Sequence, residues 1–148
     1  MDEQLGQNID WQDIINKDGF LISANISGLL AATATNYGLF FTALYPCEIL
    51  AISEVHQTAG SGSGTLDVEK LTGTQALDSG SVLLSTPTSL TSTANTVVYP
   101  SMTTTYASRR MVKGDRLALK DGGTLTNVAG VQVTIYGKRL GRGHYAAL

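Results

Sequence analysis

Asp67 and Glu69 stand two residues apart in Thr65-Leu66-Asp67-Val68-Glu69-Lys70-Leu71. Two carboxylates at that spacing share one face of a strand. Such a pair can run acid–base chemistry, as in glycoside hydrolysis, when its surroundings push the two pKa values apart. Here Leu66 and Val68 alternate with the acids, so the plainer expectation puts both carboxylates on an outward, solvated face. Other reactive side chains are sparse. His56 and His144 lie far apart and neither sits in a zinc-ligand pattern, so no metal site is expected. Cys47 is the single cysteine. It allows no intrachain disulfide and, following Pro46 at a strand start, reads as a small buried thiol rather than a nucleophile. There is no G-x-S-x-G elbow. The run Ala59-Gly60-Ser61-Gly62-Ser63-Gly64 lacks the lysine of a phosphate loop and reads as a flexible linker turn. The chain is therefore expected to be no enzyme and to need no cofactor.

The elements that position these residues read as β from about Tyr37 onward. Strands are expected near 39–44, 48–57, 65–71, 81–84, 95–99, 109–112, 115–120 and 131–138. In the last, Val131, Val133 and Ile135 alternate with Gln132, Thr134 and Tyr136. About eight short strands with turn chemistry and no intervening helices give an antiparallel sandwich, and an eight-stranded jelly roll matches the size. The 148 residues fit one domain by the prior of roughly 100–200 residues each. Residues 1–28 are set apart as an N-terminal arm, leaving 29–148 as the sandwich with a basic C-terminal tail. Asp10 as N-cap, Trp11, Ile14 and Ile15 on one helical face, and Gly19 as a stop predict a short helix in the arm. A helix so short must dock, on its own domain or on a partner.

Only 15% of residues are charged, against about 25% in typical chains. Moderate hydrophobicity with few charges excludes disorder, and few Glu, Lys and Arg exclude coiled coils. The near-neutral total hides a segregation. Residues 1–78 hold ten acids and two bases, residues 79–108 hold no charged side chain, and residues 109–148 hold eight bases and two acids. Either the two halves pair inside one fold, or the acidic arm and basic tail meet complementary neighbours. The basic pairs Arg109-Arg110 and Lys138-Arg139 lack interleaved aromatics, so direct nucleic-acid binding is not expected. The first ten residues are acidic and polar, unlike a signal peptide, and no apolar run reaches the roughly 20 residues of a membrane span. A soluble protein made in a cytoplasm, without membrane contact, is the expectation.

Several segments resemble a signature of small β-sandwich structural proteins of tailed bacteriophages. They are Thr65-Leu66-Asp67-Val68-Glu69-Lys70-Leu71-Thr72-Gly73-Thr74-Gln75-Ala76, Gly80-Ser81-Val82-Leu83-Leu84-Ser85 and Leu90-Thr91-Ser92-Thr93-Ala94-Asn95-Thr96, then Lys113-Gly114-Asp115-Arg116-Leu117-Ala118-Leu119 and Gly130-Val131-Gln132-Val133-Thr134-Ile135. Phe41-Thr42-Ala43-Leu44 and Pro46-Cys47-Glu48-Ile49 also fit, so the resemblance spans about residues 38–139. It implies a capsid decoration (cement) protein: a jelly-roll subunit, often a homotrimer, on the outer capsid surface of the virion. Such a protein bridges capsomers of the major capsid protein against internal DNA pressure and is made in the host bacterial cytoplasm. The resemblance carries no catalytic residues. Trp11, Ile14 and Ile15 of the arm are the expected partner anchors, because apolar and aromatic side chains in desolvated pockets carry most interface energy. Arg139, Arg142 and Tyr145 of the tail are the second contact set. A head-fibre or tail component of the same type is the alternative. A carbohydrate-binding module is a further one, disfavoured by a single Trp and six scattered Tyr.

Overall fold

The computed structural model describes residues 18–30 and 38–141. Nine strands follow in order: β1 (Gly19–Leu29), β2 (Leu39–Thr42), β3 (Cys47–Thr58), β4 (Thr65–Leu71), β5 (Ser81–Val82), β6 (Thr88–Ser89), β7 (Arg110–Met111), β8 (Arg116–Gly122) and β9 (Ala129–Arg139). One four-residue helix, α1 (Tyr106–Arg109), precedes β7. The first sheet runs β1-β9-β3-β7 and the second β2-β8-β4-β5, with β6 also on β4. Every ladder is antiparallel. The chain crosses between sheets at β1–β2, β2–β3, β3–β4, β6–β7, β7–β8 and β8–β9. That winding makes the sandwich a jelly roll, as expected from strand number and turn chemistry.

The core lies between the sheets. Ile49 and Ile52 of β3 meet Leu66 and Val68 of β4, Leu117 and Leu119 of β8, and Val131, Val133 and Ile135 of β9. Fully burying each such side chain stabilises by about 1.5–3 kcal/mol. Cys47 is completely buried in this core, and burial pushes its thiol up to about 11. A thiol so placed is protonated and packed, the structural role the sequence indicated.

Four expectations change. The arm boundary at residue 28 is too late: Gly19 opens β1, and Gly19 to Ile26 pair with Lys138 to Val131 of β9. Ala24 of β1 is buried and Phe20, Ile22 and Ile26 pack on the core. In sequence the strand is masked because its apolar residues are interrupted by Ser23, Asn25 and Ser27. The expected arm helix, with Trp11, Ile14 and Ile15, lies outside the described residues. Second, 95–99 is not a strand: Asn95 sits at a left-handed φ of 58°, and only the bridge Glu54–Val98 forms. Third, the Gly-Ser run is not a loose linker. A Cβ at Gly60, Gly62 or Gly64 would lie 2.7 Å from Val128 Cγ2, 2.6 Å from Thr124 O and 2.8 Å from Leu125 Cδ2 respectively. Glycine recurs there because the loop lies flush on residues 124–128.

The fourth change concerns the acids. Asp67 and Glu69 do point to the outer face of β4, opposite Leu66 and Val68, but they are buried, at 4% and 0% exposure. Their face is covered by the chain's own segment 72–80. Glu69 Oε1 accepts from Asp78 N (2.7 Å) and Oε2 from Gly80 N (2.9 Å). Arg116 donates to Gly73 O and Gln75 O, and Lys120 to Asp78 O. Alternation gives the face of a strand; it does not tell what lies over that face. Glu69→Ala is expected to lose about 1–3 kcal/mol, the cost of unsatisfied buried donors. The same variant should open 72–80 to limited proteolysis, and an unchanged cleavage pattern would contradict the stitched segment.

Candidate functional site

At one end of the sandwich, Gly19 pairs with Lys138, so β1 begins where β9 ends. Residues 1–17 and 142–148 therefore both depart from this end. They carry Trp11, Ile14, Ile15, Arg142 and Tyr145, which lie outside the described residues. Arg139, the described member of the expected contact set, places its guanidinium over the Tyr45 ring at 4.9 Å. Tyr45 meets Phe20 edge-on at 6.5 Å, and Phe20 stacks on Phe41 at 6.0 Å. Gly137 admits this cluster, because a Cβ there would lie 2.5 Å from Phe20 Cζ. Beside it Leu44 is 73% exposed. The result is an apolar and aromatic corner rimmed by an arginine, held in shape by ring packing. Surface apolar residues concentrated in this way mark contact surfaces.

The same end collects the basic residues that are scattered in sequence. β7 and β9 flank β3, so Glu48 is in register with both Arg110 and Lys138. Its carboxylate lies 3.6 Å from Arg109 Nη2 and 3.8 Å from Arg110 Nε. Tyr106 of α1 carries both guanidiniums over its ring, at 4.7 and 5.5 Å. Next to them a groove of about 780 Å³ is lined by Lys70, Tyr106, Arg110, Lys113 and Asp115, among others. Lys70 Nζ donates to the carbonyls of Ala107 and Arg110, and burial pushes its ammonium below the ordinary lysine range. Asp115, buried beside them and accepting from Val112 N at 2.9 Å, is the groove's one acid and acts on the Lys70 ammonium.

Burial explains why this surface is basic in an acidic chain. Of the eight described acids, Glu48, Glu54, Asp67, Glu69 and Asp115 are buried. None of the eight described lysines and arginines is. Glu48 alone of these five meets arginines; Asp67, Glu69 and Asp115 accept backbone N–H groups instead. Among the described residues, the two charged halves form ion pairs only at Glu48, and the described exterior carries eight cations against Asp18, Asp78 and Asp121. The sequence cue to this was available: acids beside uncharged Gly-, Ser- and Thr-rich segments have backbone donors to serve.

One buried pair stands apart. His56 and Glu54 on β3 are 0% and 1% exposed. His56 Nε2 lies 3.0 Å from Ser92 O and Nδ1 lies 2.9 Å from Glu54 Oε1. Since a carbonyl can only accept, Nε2 carries a proton, and a second proton must lie between Nδ1 and Oε1. Desolvation raises the Glu54 carboxyl above its ordinary range, opposed by the contact with His56. The pair fastens the charge-free segment to β3, where Asn95 N also donates to His56 O.

Among the described residues, no group of three or more His, Cys, Asp or Glu side chains is arranged to hold a metal ion. No helix among them is long and apolar enough to cross a membrane. No known protein-family model matches the chain, and no curated protein matches it either.

Proposed function

We propose that this protein is a capsid decoration protein of a tailed bacteriophage, a non-enzymatic subunit on the outside of the shell that bridges capsomers of the major capsid protein. The observation that carries the reading is the common exit of both terminal segments beside the Leu44–Tyr45–Arg139 corner. That end of the jelly roll, where β1 begins and β9 ends, presents a preformed apolar contact beside the points from which the arm and the tail continue in sequence. The segments that resemble phage sandwich proteins coincide with β2 to β9, the rigid part. Shell binding by many such subunits adds modest contacts through multivalency. The outer face of the first sheet supports self-association as a homotrimer. Leu21, Ala51, Ser53, Thr134 and Tyr136 form an uncharged patch there, bounded at one end by the Lys138–Glu48 row, so a second copy packed on that patch leaves those ions at its rim.

The test is cosedimentation with purified expanded capsids. The chain is expected to pellet with shells and to raise their disruption temperature; no pelleting overturns the reading. Replacing Arg139 and Arg142 with Ala is expected to weaken binding about tenfold, taking about 0.7 kcal/mol for each exposed ionic contact. Binding by the double variant should also depend less on salt. Sedimentation velocity of the free chain reads the trimer, and a monomer at high concentration counts against it.

A further inference from the structure

The basic groove beside α1 belongs to a chain whose first seventeen residues are net acidic. Residues 1–17 carry Asp2, Glu3, Asp10 and Asp13 against Lys17. The groove and its rim carry Lys70, Arg109, Arg110 and Lys113, with Glu48 and Asp115 buried. Two facts bring them within reach. Gly19, Lys138, Glu48 and Arg110 lie in successive register across β1, β9, β3 and β7. Three strand spacings separate Gly19 from Arg110, about 14 Å. Asp13 is six residues before Gly19 and Asp10 nine, reaching at most about 20 and 30 Å when extended. A short tether of this kind gives an effective concentration in the millimolar range, which no second molecule matches in dilute solution.

We infer that the groove formed by Lys70, Tyr106, Arg110 and Lys113 is a docking site for the acidic segment around Asp10 and Asp13 of the same chain. Asp10 and Asp13 meet the cations, and Trp11 between them is carried to the groove. The free protein thereby holds its own arm against the sandwich by charge. This goes beyond the shell-binding reading and does not depend on it, because it concerns the protein alone.

Trp11 is the single tryptophan of the chain and reports the docking directly. With the full chain and no shell present, acrylamide quenching of Trp11 is measured as salt is raised from about 0.01 M to about 1 M, which shortens the Debye length from about 30 to about 3 Å. Quenching is expected to rise about twofold or more. Lys113→Glu, at an exposed position, is expected to show the high-salt value already at low salt, with an unchanged circular dichroism spectrum. Quenching that ignores both salt and Lys113→Glu overturns the proposal. Carbodiimide coupling, which joins a carboxylate to an amine with loss of water, locates the contact. Asp10 or Asp13 is expected to link to Lys113 or Lys70 and not to Lys120 of β8, which donates to Asp78 O instead. In an equal mixture of light and ¹⁵N-labelled chains, links within one isotope support docking in the same chain. Links between isotopes, or links spread equally to Lys120, overturn it.

Discussion

Replacing His56 with Ala is expected to lower the free energy of unfolding by about 3–5 kcal/mol, the cost of removing one partner from a buried ionisable pair. For a domain stabilised by about 5–15 kcal/mol this is a large fraction, readable as a shifted urea midpoint. The substitution strands Ser92 O and leaves Glu54 buried without its only hydrogen-bond partner; Glu54 Oε2 already has none. Glu54→Gln separates charge from shape. Its amide can donate to Nδ1 while Nε2 still donates to Ser92 O, so the expected loss at neutral pH is about 1 kcal/mol or less. The pH profile gives the second arm. Burial raises the folded Glu54 carboxyl above its ordinary 4.5, and Asp67 and Asp121 above their ordinary 3.8, in each case mainly by desolvation. A folded pKa above the unfolded one means the folded state holds the proton longer. The associated stability is present below the unfolded value and is lost as pH rises through the folded one. Stability should therefore fall on going up from about pH 4, and less steeply in Glu54→Gln. A profile identical to the parent's would show that the pair does not share a proton.

Truncation is expected to give an all-or-none contrast between two cuts eleven residues apart. Removing residues 1–17 should leave a cooperatively folding sandwich that no longer pellets with shells. Removing residues 1–28 should give an insoluble or unfolded chain. The second cut takes nearly all of β1, exposing the ladder edge of β9 from Val131 to Lys138, and it uncovers Phe41, Tyr45 and Gly137 where Phe20 had packed. An apolar strand newly exposed along one edge is an aggregation template. Circular dichroism, thermal melting and the pelleting assay read the outcome. A folded product from the longer deletion would mean β1 contributes little. Shell binding by the shorter deletion would remove the arm anchors from the proposed grip.

Fold class was legible because alternation is strong in β4, β8 and β9 and the turns between them are marked by glycine and aspartate. β1 was not, since serine and asparagine on its outer face and glycine near its end imitate a linker. The buried carboxylates were assigned the right face but the wrong solvent, because cover by 72–80 is a tertiary fact that no strand period encodes. The basic cluster was visible only as two dipeptides 28 residues apart; it takes β3, lying between β7 and β9, to make them neighbours. Arg139 was chosen for its charge, whereas its fixed stacking on Tyr45 depends on a ring nearly a hundred positions earlier.

The long strands carry one further consequence. β1, β3 and β9 each run 11 or 12 residues, about 35 Å at the usual rise. Gly19 and Lys138 lie at one pole, and among the described residues the opposite pole includes the turns 59–64 and 123–128, neither of which holds a charged residue. A particle gripped through the terminal pole would be studded with neutral tips rich in glycine, serine and threonine. Whatever first collides with it meets a surface without electrostatic attraction, and a sequence displayed there would stand clear of the shell.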